Sequence, residues 1–415
     1  MEKIRIGLFG AGRGINLALN FMLQNCEIVA LCDFNEKRLT AGAARIGPGA
    51  ALYRDFDSFI EHDMDAVILA NYFHEHTPYA IRCFEKGLHV FCECISNGTM
   101  AEGVELIRAF EKSSSIYMLA ENYPQMLFNR EIQRVCAGGT LGRLIYAEGE
   151  YNHPGDPWDG SFRKQYTYFE KHWRNHIPST YYITHSLGPI MKATGATPRR
   201  VSAYTVYDPS DAAIPTAKMT ADRCPCIVTQ NDDGSIFRLT ACGTFGGHHN
   251  AYRVCGTKGS IENLRDLSQR VLLHYNAWQL PEGAEEVSIY LPDWNDKDEE
   301  LIKSSGHGGG DYITARMFLE CIEEGRQPEH PFDIYSAVTM SSVAILAHRS
   351  VMEGNVPFDI PDFRTEEARA QYENDRLTPC WGTDGSAPNY PSCSHPDYHP
   401  TEEQLALYRK DLGIE

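Results

Sequence analysis

Between Lys3 and Asn122 the chain alternates short apolar runs with amphipathic stretches, and no other feature restricts its fold as tightly. KIRIGLFGAG reads as a buried strand ending in glycines, and INLALNFMLQN as a helix. EIVALCDFN, MDAVILANY, HVFCE and IYMLAEN repeat the strand signature; EKRLTAGAARIG, TPYAIRCFEKG and MAEGVELIRAFEKSS repeat the helical one. A strand that is apolar throughout must be covered on both faces, and a helix after each strand provides that cover. The segment predicts βαβ units on a doubly wound parallel sheet.

From about Leu144 the pattern changes. LIYAEGEYNH, PRRVSAYTVYD, CPCIVTQND, SIFRLTACGTF, YRVCGTKGSIEN and RVLLHYNA are strand signatures separated by turns, with few helices between them. They predict a large, mostly antiparallel open sheet in an α+β arrangement. ITARMFLECIEEG and IYSAVTMSSVAILAHRSVMEG return to helical periodicity. CWGTDGSAPNYPSCSHPDYHP reads as an irregular tail wrapping the surface, and TEEQLALYRKDLG as a short closing helix. The expected organisation is an α/β domain over residues 1–123, an α+β domain over 124–362 and an irregular extension over 363–415.

The 415 residues carry a formal net charge of -18, with 56 Asp and Glu against 38 Lys and Arg. That balance argues against a nucleic-acid or anionic-membrane partner, which needs a basic footprint. It favours a neutral small molecule, or an anionic one held in a local basic pocket. No apolar run approaches a membrane span, and MEKIRIGLFGAG enters a strand at once, leaving no room for a signal peptide. The odd count of 13 cysteines suggests reduced thiols in a cytoplasm. Cys224 and Cys226 have no second pair at zinc-ribbon spacing, and no His or carboxylate pair stands at a zinc-protease spacing, so no metal is expected.

IGLFGAGRG places Gly10, Gly12 and Gly14 between a strand and a helix, the context in which a glycine turn receives a pyrophosphate. The third glycine of a G-x-G-x-x-G fingerprint would fall at Ile15, so the match is imperfect and a structural glycine turn stays open. Asp33 ends the second strand about twenty residues on, where an acid accepts from a ribose hydroxyl and favours NAD over NADP. Glu93 and Asn122 end later strands on the same carboxyl edge. Together these features predict a Rossmann-type, NAD-binding first domain.

WRNHIPSTYYITHSLGPI reads as a helix turn ahead of a Gly-Pro stop. Tyr182 and His185 are three residues apart and would share a helix face, as a proton-transfer pair or as a polar face with a core histidine. His307 lies in GHGGGDY, whose glycines suit a loop over a substrate, with Asp311 and Tyr312 as hydroxyl binders; a flexible turn is the alternative. Trp173 and Arg174 could stack on and bond to a sugar. His153 and Trp158 are weaker candidates.

With these residues placed, the chain resembles the Gfo/Idh/MocA oxidoreductases from the first strand to about Asp362. ILANYFHEHTPYAIRCFEKGLHVFCE, GGTLGRLIYAEGEY and CGTKGSIE carry the likeness. Most members have Glu-Lys-Pro where this chain has Glu93-Cys94-Ile95, and that lysine usually sits beside the nicotinamide. LAENYPQ, HWRNHIPSTYYITHSLGP, GHGGGDYITARMFLECI and PFDIPDF resemble a sub-branch, glycoside hydrolase family 109, which also lacks the lysine. The resemblance implies bound NAD held by Gly10, Gly12, Arg13, Gly14, Asp33, Asn71, His76, Glu93 and Asn122. It also implies hydride transfer at C3 of a sugar or glycoside, with His185 as main base and Tyr182 assisting. Trp173, Arg174, His307, Asp311 and Tyr312 would bind substrate. The reaction would be a redox-cycling hydrolysis or an oxidation releasing NADH; a non-catalytic NAD-binding sensor is the alternative from another class. Family members often pair through the open sheet face, so a homo-oligomer is expected.

Overall fold

In the computed structural model, which describes residues 3–155, 159, 169–210, 214–243, 245–266 and 268–414, the alternating segment forms a six-stranded sheet. Its strands are β1 (Ile4–Phe9), β2 (Cys26–Cys32), β3 (Ala51–Tyr53), β4 (Ala66–Leu69), β5 (His89–Cys92) and β6 (Tyr117–Leu119), in the order β3-β2-β1-β4-β5-β6. Every pair is parallel. β4 and β6 are buried at every position, as strands covered on both faces must be. The order reverses at β1, so the loops after β1 and β4 leave the sheet in different directions and open a crevice at the carboxyl ends. The three-residue β3 is too short to show a strand period and escaped the sequence reading.

The second sheet has nine strands. They are β7 (Leu144–Asn152), β8 (Pro198–Tyr207), β9 (Asp222–Asn231), β10 (Ile236–Gly243), β11 (His249–Gly256), β12 (Gly259–Asn263), β13 (Val271–Tyr275), β14 (Val287–Tyr290) and β15 (Phe358–Asp359). The order is β14-β13-β12-β11-β7-β10-β9-β8-β15, and β7 with β10 is its parallel pair. The short edge strands β14 and β15 were not foreseen. A row of cross-strand neighbours, Val201, Thr229, Phe237, Ala147, Val254 and Ile261, is buried on the face that receives helices. The adjacent row, Ser202, Val228, Arg238, Glu148, Arg253 and Glu262, lies on the opposite face, where Arg238 donates to Glu148 at 2.7 Å.

Helix Ile334–Met352 is buried over nearly its whole length and packs on both β8 and β6, joining the two sheets. Among the described residues no helix is long and apolar enough to cross a membrane. One local expectation was wrong: helix Thr184–Thr194 does not stop at Gly188-Pro189 but runs through Pro189. Beyond helix Glu366–Ala370 the chain is irregular until helix Glu402–Leu412, and it lies across both halves of the molecule.

Candidate active site

The loops that follow β1 and β4 touch at the crevice. Gly10 takes φ +102°, and a Cβ there would lie 2.2 Å from the Ala70 carbonyl oxygen, so the contact requires glycine. Gly12 differs: a Cβ would meet nothing nearer than Arg38, 3.7 Å away, which leaves bare backbone just before the helix that begins at Gly14. Asp33 fixes this turn, accepting from the Ala11 amide at 2.8 Å and the Asn35 amide at 2.7 Å. Its further lone pairs remain able to accept a hydroxyl. Buried Asn71 Oδ1 and Asn122 Oδ1 have no hydrogen-bond partner among the described residues, and His76 Nδ1 is held 2.6 Å from the Ile95 carbonyl. A glycine cradle, an acid and unpaired buried amide oxygens fit a dinucleotide. The two glycines separate fold from binding. Gly12→Ala is expected to leave the melting temperature within about 2 °C and weaken NAD binding by about tenfold or more, because only the ligand meets the new methyl. Gly10→Ala should cost about 2 kcal/mol of stability or more. Calorimetric titration and thermal melts check both.

The chemistry-bearing centre lies where β5 and β6 end. Glu121, wholly buried, places both carboxylate oxygens on His185 Nδ1, at 2.9 and 3.0 Å. A carboxylate only accepts, so Nδ1 carries the hydrogen and Nε2 is the nitrogen left to take a proton. Burial would push the Glu121 carboxyl up; His185, Thr184 and the Tyr123 amide outweigh it and hold it below the usual range. Cys94 sits on the same carboxylate, its thiol 3.4 Å from Glu121 Oε2, and burial beside Glu121 and Glu93 raises that thiol well above its ordinary value. Position 94 therefore supplies no cation.

Local sequence explains how His185 is held. Gly188 lets its helix close on Glu121, since a Cβ there would lie 2.7 Å from Glu121 Cγ. Pro189 has no amide to bond the carbonyl four residues back. That carbonyl belongs to His185 and accepts instead from Tyr252 of β11 at 2.6 Å. Proline thus ties the first helical turn to the sheet. Tyr182 lies before the helix, which begins at Thr184, yet its ring is 5.6 Å from that of His185.

Arg13 crosses from the glycine turn to the second half of the chain. It donates to Asp311 at 2.6 and 3.1 Å and lies 3.4 Å from Glu93. Asn122 Nδ2 donates to Asp311 at 2.6 Å, and His307 Nδ1 lies 3.0 Å from it. Burial opposes the charge on Asp311, but His307 and Arg13 hold its carboxyl far below the usual range. Asp311 is thus an enclosed junction between the two halves. Tyr312 packs with Ile302 and Ile313 under Arg316 rather than among the rings around His185.

Aromatic rings build the rest of the cup. Tyr123 stacks on His185 with centroids 4.1 Å apart, and Tyr151, at the end of β7, meets it edge-on at 4.9 Å. Phe73 lies between Trp173 (5.0 Å) and Tyr182 (5.5 Å), and Arg174 lies over Trp173 at 4.4 Å. His153 stacks on Tyr151, and burial, with His248, His185 and His307, lowers its pKa below the ordinary histidine value. Trp158 lies outside the described residues. The sequence reading missed Glu121, Tyr123 and Tyr151. Glu121 and Tyr123 stood beside Asn122 in LAENYPQ, and Tyr151 ended a strand signature two residues before His153; nothing local announced their partners.

A dinucleotide cradle at the switch point, beside a carboxylate–histidine pair in an aromatic cup, defines a two-part NAD-binding oxidoreductase. Comparison with known proteins agrees. Residues 4–121 match the model of the oxidoreductase family with the NAD-binding Rossmann fold, and residues 246–370 match the C-terminal domain of glycosyl hydrolase 109. The first part of the chain is thus similar to the Gfo/Idh/MocA oxidoreductases and the second to the glycosyl hydrolase 109 proteins. It is 24% identical over 430 residues to a glycosyl hydrolase family 109 protein of Streptomyces niveus, covering 94% of this chain and 82% of that one. A levoglucosan dehydrogenase in complex with NADH and L-sorbose matches with a TM-score of 0.72 at 19% identity, over 87% of this chain and 100% of that one. An aldose-aldose oxidoreductase from Caulobacter crescentus, complexed with glycerol, matches with a TM-score of 0.67 at 19% identity, over 86% and 100%. At these identities the solved structures show the shared fold.

Proposed function

We propose that this chain acts on a glycoside, using His185 as the base that takes a sugar hydroxyl proton, and that its net reaction is hydrolysis. The observation that carries the reading is the Glu121–His185 pair, set beside the dinucleotide cradle where Cys94 replaces a lysine. Bound NAD would supply a hydride acceptor at the sugar carbon and, for hydrolysis, return that hydride. His185 Nε2 receives the hydroxyl proton, and Glu121 stabilises the imidazolium that results. The phenols of Tyr151 and Tyr182, both within 6.0 Å of each other ring to ring, stand ready to exchange a second proton. The stacked rings of Phe73, Trp173 and Tyr182 would form an apolar wall that the sugar meets at its edge, with Arg174 as a donor. Arg13, Glu93, Asn71 and Asn122 hold the cofactor end, with Asp311 and His307 fastening Arg13.

A panel of glycosides, followed for NADH absorbance and for released aglycone, tests the reading. Aglycone without net NADH is expected, and His185→Ala should cost about 10² to 10⁴ in turnover. Stoichiometric NADH with a free sugar would identify a dehydrogenase instead. Bound NAD without any turnover would identify a binding protein, and unchanged turnover in His185→Ala would remove that residue from the mechanism.

The open sheet face supports pairing with a second copy. Its charged row, Arg238, Glu148, Arg253 and Glu262, is flanked by exposed Val228, Ile236 and Tyr204, a mixed surface of the kind interfaces use. Val228→Glu should reduce the mass seen by light scattering; a parent that is already monomeric would overturn this. The described cysteines, all free thiols, support a cytoplasmic setting, testable by fractionation.

A further inference from the structure

The wall of the cup that would meet the sugar is built from two segments with little structure of their own. One is the loop after β4, which carries Tyr72 and Phe73; the other, residues 169–177, carries Trp173 and Arg174 and holds only a four-residue helix, Trp173–His176. They meet through the Phe73–Trp173 stack, at 5.0 Å and 10° between ring planes. Two short segments from different halves of a chain do not hold such a stack by themselves, because each loses backbone entropy that one ring contact does not repay.

What holds them is the irregular C-terminal segment. Immediately after Phe73, His74 Nε2 lies 2.9 Å from the Trp381 carbonyl, and the Thr383 amide donates to Glu75 at 2.7 Å. Immediately after Arg174, Asn175 Nδ2 donates to the Tyr408 hydroxyl at 3.3 Å, and Ser392 donates to the His176 carbonyl at 2.6 Å. Lys171 lies over the Trp381 ring at 4.1 Å, so one tail residue reaches both segments. The tail is fastened in turn to the fold, by Arg349 on Asp375 and by the Ser394 amide on Asp222 at 2.6 Å. These contacts fall on residues adjoining the wall, on both sides of it.

We infer that residues 375–408 form a strap that positions the Phe73 and Trp173 segments and thereby sets how the site grips its sugar. The strap touches neither the glycine cradle nor the Glu121–His185 pair; it acts on substrate binding through the wall. This rests on the sugar reading for its kinetic consequence only.

Two full-length variants test it, Thr383→Pro, which removes the amide donated to Glu75, and Ser392→Ala, which removes the bond to the His176 carbonyl. Hydrogen exchange is expected to rise by about tenfold in residues 70–76 for the first and in residues 170–177 for the second, each leaving β1 and β6 protected. NAD affinity should stay within about twofold, whereas the KM of whichever glycoside the parent cleaves should rise by about tenfold in the double variant with kcat little changed. Unchanged exchange in both segments would overturn the strap, as would raised exchange with an unchanged KM. A general rise that includes β1 and β6 would also count against it, since it would mean a structural tail with no selective hold on the wall. If no glycoside is cleaved by the parent, the proposed function fails while the exchange pattern still decides the strap.

Discussion

Glu121→Gln is expected to lower turnover by on the order of 10³-fold or more while NAD affinity stays near the parent's. The carboxylate does two things that an amide does not. As a pure acceptor held 2.9 Å from Nδ1, it fixes the imidazole hydrogen on that nitrogen and leaves Nε2 free to take a proton. A glutamine can turn its NH₂ toward the ring, which reverses the tautomer and spoils the base. The carboxylate, itself wholly buried, also balances the imidazolium of the partly buried ring, where an unbalanced charge is costly. The amide keeps nearly the same volume and can still accept from the Tyr123 amide, so the melting temperature should fall by only about 5 °C. Glu121→Asp is the control: it keeps the charge but withdraws it by one methylene, and should retain more activity than the glutamine variant. Turnover within about threefold of the parent in Glu121→Gln would mean that another group holds His185 during proton transfer.

That pair shows where sequence reading stops. Glu121 and His185 are separated by 64 positions, and only the assembled sheet and helix bring them within a hydrogen bond. Asn122, its neighbour, stood out because it closes a strand signature; Glu121 looked like one more residue inside the same run. The first sheet was legible because β4 and β6 are apolar at every position, so burial on both faces is written into each residue. The strands β3, β14 and β15 were not legible, because two to four residues at an edge carry no period. Gly188-Pro189 misled for a physical reason. Proline removes one helical hydrogen bond, which ordinarily ends a helix, but here Tyr252 supplies the partner that the His185 carbonyl lost. Composition marked the tail as irregular and surface-lying, yet its bonds to His74, Glu75, Asn175 and His176 are long-range and leave no local trace.

Acidification from about pH 6.5 to about pH 4 is expected to remove several kcal/mol of stability, and buried histidines on the tail's contacts are the main cause. Burial lowers His74 to about 4 and His348 to about 4, and burial with Arg174 nearby lowers His172 to about 3. Each is neutral when folded, whereas an unfolded histidine titrates near 6.5. Between those values the unfolded chain binds protons that the folded chain does not, so stability climbs with pH; it is fully present above about 6.5 and lost as the pH falls toward 4. Two buried carboxyls oppose them. Glu102, raised to about 7 by burial, binds its proton in the folded state first and so loses stability as pH rises. Glu75, also raised by burial, acts in the same sense, but His76, His89, His176 and His330 are lowered by burial as well, so the histidines stay dominant. His74 and His348 also hold tail carbonyls, of Trp381 at 2.9 Å and Pro391 at 2.7 Å; these bonds, and Asp222 beside His348, favour the protonated ring, but burial outweighs them. Urea unfolding at pH 7 and pH 4.5 measures the loss, and the double variant His74→Gln with His348→Gln, which keeps a donor for each carbonyl but cannot titrate, should flatten it by about half. An equally steep loss in that variant would assign the acid sensitivity to carboxylates elsewhere.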